Sequence, residues 1–170
     1  MTGIEALQGS VLADRERMAR YKAFAAAFSY PDRKELAVEY DLLFRRDRIW
    51  LYTTEYQAKH DFQKSQLLSD IMAFYNAFGV RPDKERPDAV SAEFEFMHYL
   101  IFKRLYGQEK KLNNCEDKAA ICADAERKFF DTHLYPGVKA VMEKILARKG
   151  VGFYADMARE ALSFLEAEKA

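Results

Sequence analysis

Glu95 and His98 form the pair whose types and spacing most suggest chemistry, because Glu-x-x-His on a helix puts a carboxylate and an imidazole on one face. Di-metal helical bundles need a second such copy and two more inward-facing glutamates. Here His60 has Gln57 three residues before it and His133 has Phe130, so no second copy exists. An amphipathic helix edge is the better reading of the pair, and His133, within Phe129-Phe130-Asp-Thr-His133-Leu134, reads as a packed or capping histidine. Neither G-x-x-x-x-G-K-[ST] nor G-x-G-x-x-G is present, so nucleotide binding of those kinds is unsupported. The nucleophile elbow G-x-S-x-G is also missing. The expectation is a protein with no catalytic residue, no metal and no cofactor, and a binding role.

Charge narrows the partners. The 170 residues carry 27 Lys+Arg and 27 Asp+Glu, a formal net charge of zero, which excludes whole-protein attraction to nucleic acid or an anionic membrane. Arg45, Arg46 and Arg48 are the nearest thing to a basic patch, but Asp41 and Asp47 interrupt them. Cys115 and Cys122 match neither a Cys-x-x-Cys pair nor a zinc pattern, and seven positions on one helix separate them by ~10 Å, too far for a disulfide. They read as free thiols in a reducing compartment. No apolar run approaches the ~20 residues of a membrane span. The start, Met1 to Ser10, lacks the features of a secretory signal, so the cytoplasm is expected, with no membrane insertion.

The elements that must position any site are helices. Met18, Tyr21, Phe24, Ala25 and Phe28 make one apolar stripe, ending near Tyr30 because Pro31 follows. Asp32 is placed to cap a second helix carrying Leu36, Ala37, Tyr40, Leu43 and Phe44. Ile49 to Tyr56 is rich in aromatic and β-branched residues yet has no strand partner in the pattern, so an ordered loop is expected. A helix from about Asp61 should end at Gly79 in a left-handed cap. After the loop from Val80 to Asp88, with Asp88 as N-cap, comes a helix striped by Val90, Phe94, Met97, Ile101 and Leu105. Further helices fit roughly 116–134, 137–149 and 152–168, with Gly150 and Gly152 at the last break. The predicted fold is all-α, a compact single-domain bundle of six or seven helices over 1–170.

Several motifs then carry a resemblance. Glu39-Tyr40-Asp-Leu-Leu43-Phe44 resembles the E-Y-x-x-L-F signature of the TorD/DmsD/NarJ family of molybdoenzyme assembly chaperones. Leu51-Tyr52-Thr-Thr-Glu55-Tyr56 is similar to the tyrosine-containing segment that follows it. The stretch from Glu85 through Pro87, Asp88 and Glu93 to Met97 resembles the family's E-P-x-D-H and the helix start after it. Phe130-x-x-His133-Leu134, Phe153-Tyr154 and Phe164-Leu165 fit its C-terminal helices, and segment 52–79 looks most like members serving periplasmic respiratory enzymes.

The resemblance implies a TorD-like cytoplasmic chaperone, a monomer or dimer. It would bind the twin-arginine signal peptide of a DMSO-reductase-type molybdoenzyme's catalytic subunit and hold that subunit until its cofactor is inserted. Carried over by position, the peptide-recognition residues are Tyr40, Leu43, Phe44, Pro87, Asp88 and Glu93; the histidine after the aspartate is Ala89 here, so any contact it makes is missing. From chemistry alone, a receptor for paired arginines and an apolar helix needs a groove with carboxylates near one end. Asp83, Glu85, Asp88, Glu93 and Glu95 cluster acid there, and Tyr40, Phe44, Trp50, Tyr52 and Tyr56 offer groove side chains. The plainer readings make Tyr40, Leu43 and Phe44 core, Asp88 a cap, Glu93 and Glu95 solvated, and Trp50 partly exposed. Two other classes stay open, a metal-dependent enzyme using Glu95 and His98, and a permanent structural subunit of a complex.

Overall fold

A computed structural model describes residues 3–83, 85–110, 113–148 and 152–170, with side chains from Ala13 onward. Helix α1 runs Gly3–Ala27. Helix α2, Lys34–Tyr40, continues without a break into a π-helical turn, Asp41–Arg46. A single turn, α3 (Thr54–Gln57), precedes α4 (Asp61–Ala77) and α5 (Val90–Glu109). Helix α6 (Cys115–Phe129) passes through a second π-turn, Phe130–Leu134, into α7 (Tyr135–Ala147), and α8 spans Phe153–Lys169. Leaving out the single turn, seven helices are described, as an all-α bundle requires. The predicted boundary at Gly150 lies outside the described residues, and the two cysteines are free.

Helix α5 lies against α1 on one side and α6 on the other, and its stripe is buried as the spacing predicts: Val90, Phe94, Met97, Leu100, Ile101 and Leu105 are all 5% exposed or less. Tyr21 and Phe24 of α1, and Phe28 just after it, pack around Phe94, and Tyr21 and Phe24 also meet Phe164 of α8. A second aromatic group joins Tyr75, Phe96, Phe129 and Phe74, and His133 packs against its Phe74 and Phe129. The helices are also joined by charge. Arg104 donates to Asp14 (2.7 Å) and Glu126 (2.9 Å), while Arg17 reaches Asp14 and Glu168, tying α1, α5, α6 and α8 together. Asp14 would be raised by its partial burial, but Arg104 and Arg17 outweigh that and hold it below the ordinary carboxylate range.

Three local expectations are corrected. Asp32 does not cap α2: the helix begins one residue later, with Arg33 at the N-cap and no side-chain cap bond. The second helix buries less than its stripe suggests, since only Phe44 is fully inside, and the i→i−5 bond from Asp47 N–H to Leu42 O widens its last turn. The segment after it is not simply a loop. Tyr52 forms an antiparallel bridge with Ala89, flanked by Thr53 N–H to Asp88 O (2.9 Å) and Val90 N–H to Leu51 O (3.0 Å). Gly79 does end α4, at φ +71°. Among the described residues no helix is long and apolar enough to cross a membrane.

Candidate functional site

A cleft of about 620 Å³ lies between the C-terminal end of α1 and the N-terminal half of α5, with Val80, Arg81, Pro82, Asp83 and Glu85 also in its lining. Its opening follows from side-chain size. Ala25, Ala26 and Ser29 line it from α1 and the residues after it, while Ala89, Ser91 and Ala92 line it from the start of α5. Small residues on both walls leave room that larger ones would fill. Phe28, Leu51, Tyr75 and Phe96, all buried, give it an apolar floor, and Tyr30, Tyr40, Tyr52 and Tyr99 add aromatic edges. Asp83, Glu85 and Glu95 bring carboxylates to the lining, Lys22 and Arg81 bring cations. An apolar trough with charged rims suits an amphipathic chain segment rather than a rigid polar molecule.

Of the ten residues expected from sequence, Tyr40, Tyr52 and Glu85 line this cleft. Tyr40 stacks edge-on against Tyr30, Phe44 and Tyr154, and burial, with Tyr52 and Glu85 adding negative charge nearby, raises its pKa. Tyr52 donates to Glu85 at 3.3 Å. The Arg86 guanidinium lies 4.2 Å from the centre of the Tyr52 ring.

The other seven lie elsewhere. Phe44 is in the core, stacked on Tyr154, and Leu43 packs against the same core. Pro87 presents its carbonyl to the Tyr75 hydroxyl at 2.7 Å. Trp50, 47% exposed as expected, and Tyr56 line a separate depression of about 360 Å³ with Arg48, Lys144 and Arg148. Tyr56 Oη accepts the Trp50 N–H at 2.8 Å.

Asp88 and Glu93 are the largest departure, because both are fully buried. Asp88 is not a cap; Ala89 holds that position without a side-chain bond. Its carboxylate takes both prongs of Arg86 (2.8 and 2.9 Å) and the Thr54 hydroxyl. Arg86 passes the charge on to Glu55, which also holds Lys64 at 2.6 Å. Glu93 accepts the Thr53 hydroxyl on Oε1, while Oε2 has no partner among the described residues. Burial above all, with Asp88 adding to it, pushes the Glu93 carboxyl well above its ordinary range against the Thr53 bond. The consecutive threonines of the 49–56 segment thus clasp two acids of the other segment, and this clasp anchors the cleft's floor. Glu39 is likewise structural. Its carboxylate accepts the Phe153 (3.2 Å) and Tyr154 (3.0 Å) N–H groups and so closes the N-terminus of α8.

Sequence reasoning missed the α1 contribution to the cleft: Lys22, Ala26, Ser29 and Tyr30 belong to no motif, and Ala25 was visible only as core stripe. Glu95 does sit in the cleft, but paired with Lys22, whereas His98 turns its Nδ1 to the Met18 carbonyl at 3.0 Å. Among the described residues no group of three or more His, Cys, Asp or Glu is placed to hold a metal ion.

Fold and cleft together define an all-helical protein whose principal surface feature is an apolar trough edged by charge. Residues 12–142 match the family described as nitrate reductase delta subunit, and the chain belongs to that family, the TorD- and NarJ-like assembly chaperones. It is similar to the perchlorate reductase assembly chaperone protein of Dechloromonas aromatica (strain RCB), 27% identical over 118 residues, which are 66% of this chain and 50% of that protein. The chain therefore spans about half the length of the curated relative it matches. The motifs through His133 fall inside the family match, and Phe153-Tyr154 and Phe164-Leu165 fall beyond it.

Proposed function

We propose that this chain acts as one helical, non-enzymatic chaperone domain in the cytoplasm. In this reading it assembles the catalytic subunit of a DMSO-reductase-type molybdoenzyme and takes that subunit's twin-arginine signal peptide into the α1/α5 cleft until the cofactor is inserted. The observation that carries the reading is the cleft, an apolar floor beside Asp83, Glu85 and Glu95, in a member of an assembly-chaperone family. The apolar stretch of a signal peptide would lie on Phe28, Leu51 and Phe96, and its arginines would meet the carboxylates. Asp88, Glu93, Phe44 and Pro87 act through the clasp and the core that shape this surface, not by contact.

Isothermal titration with the signal peptide of a molybdoenzyme encoded beside this gene tests it. Saturable one-to-one binding is expected, weakened by about tenfold or more, 1.4 kcal/mol, in Ala92→Phe, which puts a ring into the cleft. Trp50→Ala, at the other depression, should leave the affinity within about twofold. Absence of binding by the wild-type chain, or equal binding by Ala92→Phe, overturns the reading.

A further inference from the structure

Lys22 and Glu95 both line the cleft, one on α1 and one on α5, and they hold each other: Lys22 Nζ lies 2.6 Å from one Glu95 oxygen and 2.9 Å from the other. Both remain accessible, with side chains 56% and 47% exposed. The carboxylate offers its two oxygens to a single ammonium, which is a point charge and cannot satisfy them along two parallel directions. A guanidinium can, through a bidentate pair. We propose that Glu95 is the guanidinium acceptor of this cleft and that Lys22 is its built-in competitor, which every cationic ligand must displace. The inference rests on the peptide-binding reading above and assigns the residues of its charge recognition.

The exchange has a definite balance. A ligand lysine replaces one ammonium by another and gains nothing at Glu95, whereas a ligand arginine exchanges two bonds that converge on one nitrogen for two parallel ones. The preference for arginine therefore belongs to Glu95, and Lys22 sets the threshold that any ligand meets without altering that preference. Lys22 also keeps the empty cleft from presenting a bare carboxylate to passing cations, a repulsive element built against wrong partners.

A double-mutant cycle reads this directly. With a twin-arginine peptide, Lys22→Gln should tighten binding about two- to fivefold, the range an exposed ion pair commands. In a Glu95→Gln background the same Lys22→Gln change should have no effect. A peptide with two lysines in place of the arginines should bind more weakly than the arginine form to wild type and to Lys22→Gln by the same ratio, and Glu95→Gln should remove most of that ratio. Unchanged or weaker binding by Lys22→Gln, or an effect that persists without Glu95, overturns the assignment. If Ala92→Phe abolishes binding while this cycle is flat, the cleft reading stands and only the Lys22/Glu95 assignment falls; if the wild type binds neither peptide, both fall.

Discussion

Removing the Asp88 carboxylate strands three donors at once, two from Arg86 and one from Thr54, at a position with no exposure to water. Asp88→Ala should therefore lower unfolding stability by about 2–3 kcal/mol, above the ~1 kcal/mol of a lost cap and below a fully enclosed pair because Arg86 reaches solvent. Urea denaturation checks this, with Asp88→Asn expected to recover part of the loss. Tyr40, Tyr52 and Glu85, singled out in the sequence, line the cleft. Asp88 and Glu93 were legible as important but not as internal. Carboxylates go inside only when donors meet them, and Thr53 and Thr54 come from a segment about 35–40 residues away in the chain. No local pattern announces such a meeting.

Helix ends follow the same division. Gly79 and the α5 stripe were readable because a left-handed stop and a 3.6-residue period are local properties. The π-turns at 41–46 and 130–134 were not, since each widens the helix and shifts later side chains off the stripe that the period predicts. Glu39 is the instructive case, a motif residue whose partner is the start of α8, more than a hundred residues on. Glu39→Ala should cost about 1 kcal/mol, concentrated at the N-terminus of α8, as hydrogen exchange of the Phe153 and Tyr154 amides would register. Gly152 is part of the same device. At φ +151° it adopts a backbone conformation that side chains disfavour, and a Cβ there would stand 2.5 Å from Glu39 Oε1. Gly152→Ala should thus disturb the same amides.

For the whole molecule, the zero net charge conceals acids in distinct states: exposed at the cleft, paired in the Arg17/Arg104 network, or buried as Glu93. Two buried groups set opposite pH slopes. Burial raises the native Glu93 carboxyl above its ordinary value of 4.5, so its contribution to stability is full below 4.5 and is lost as pH rises through the raised native value. His133 is held neutral, first by burial and despite the pull of Asp70, while the unfolded chain takes up a proton below 6.5. Its contribution is lost as pH falls through its depressed native value. The Glu93 slope begins above 4.5 and lowers stability as pH rises, the His133 slope lies below 6.5 and raises it, and the two oppose each other where their ranges overlap. Urea midpoints followed upward from about pH 5 should carry the downward slope of Glu93, and Glu93→Gln should remove that slope.

The 49–56 segment has an optical consequence. Leu51 and Tyr52 line the cleft, while Trp50, the residue just before them, opens onto the other depression. Trp50 is the chain's single indole, half in water, and its backbone N–H donates to the Tyr56 hydroxyl. Its indole fluorescence therefore comes from one known place, one residue before the cleft-lining Leu51. If the cleft takes a peptide as proposed, the protein carries its own unlabelled reporter, outside the cleft yet joined to its lining by one peptide bond.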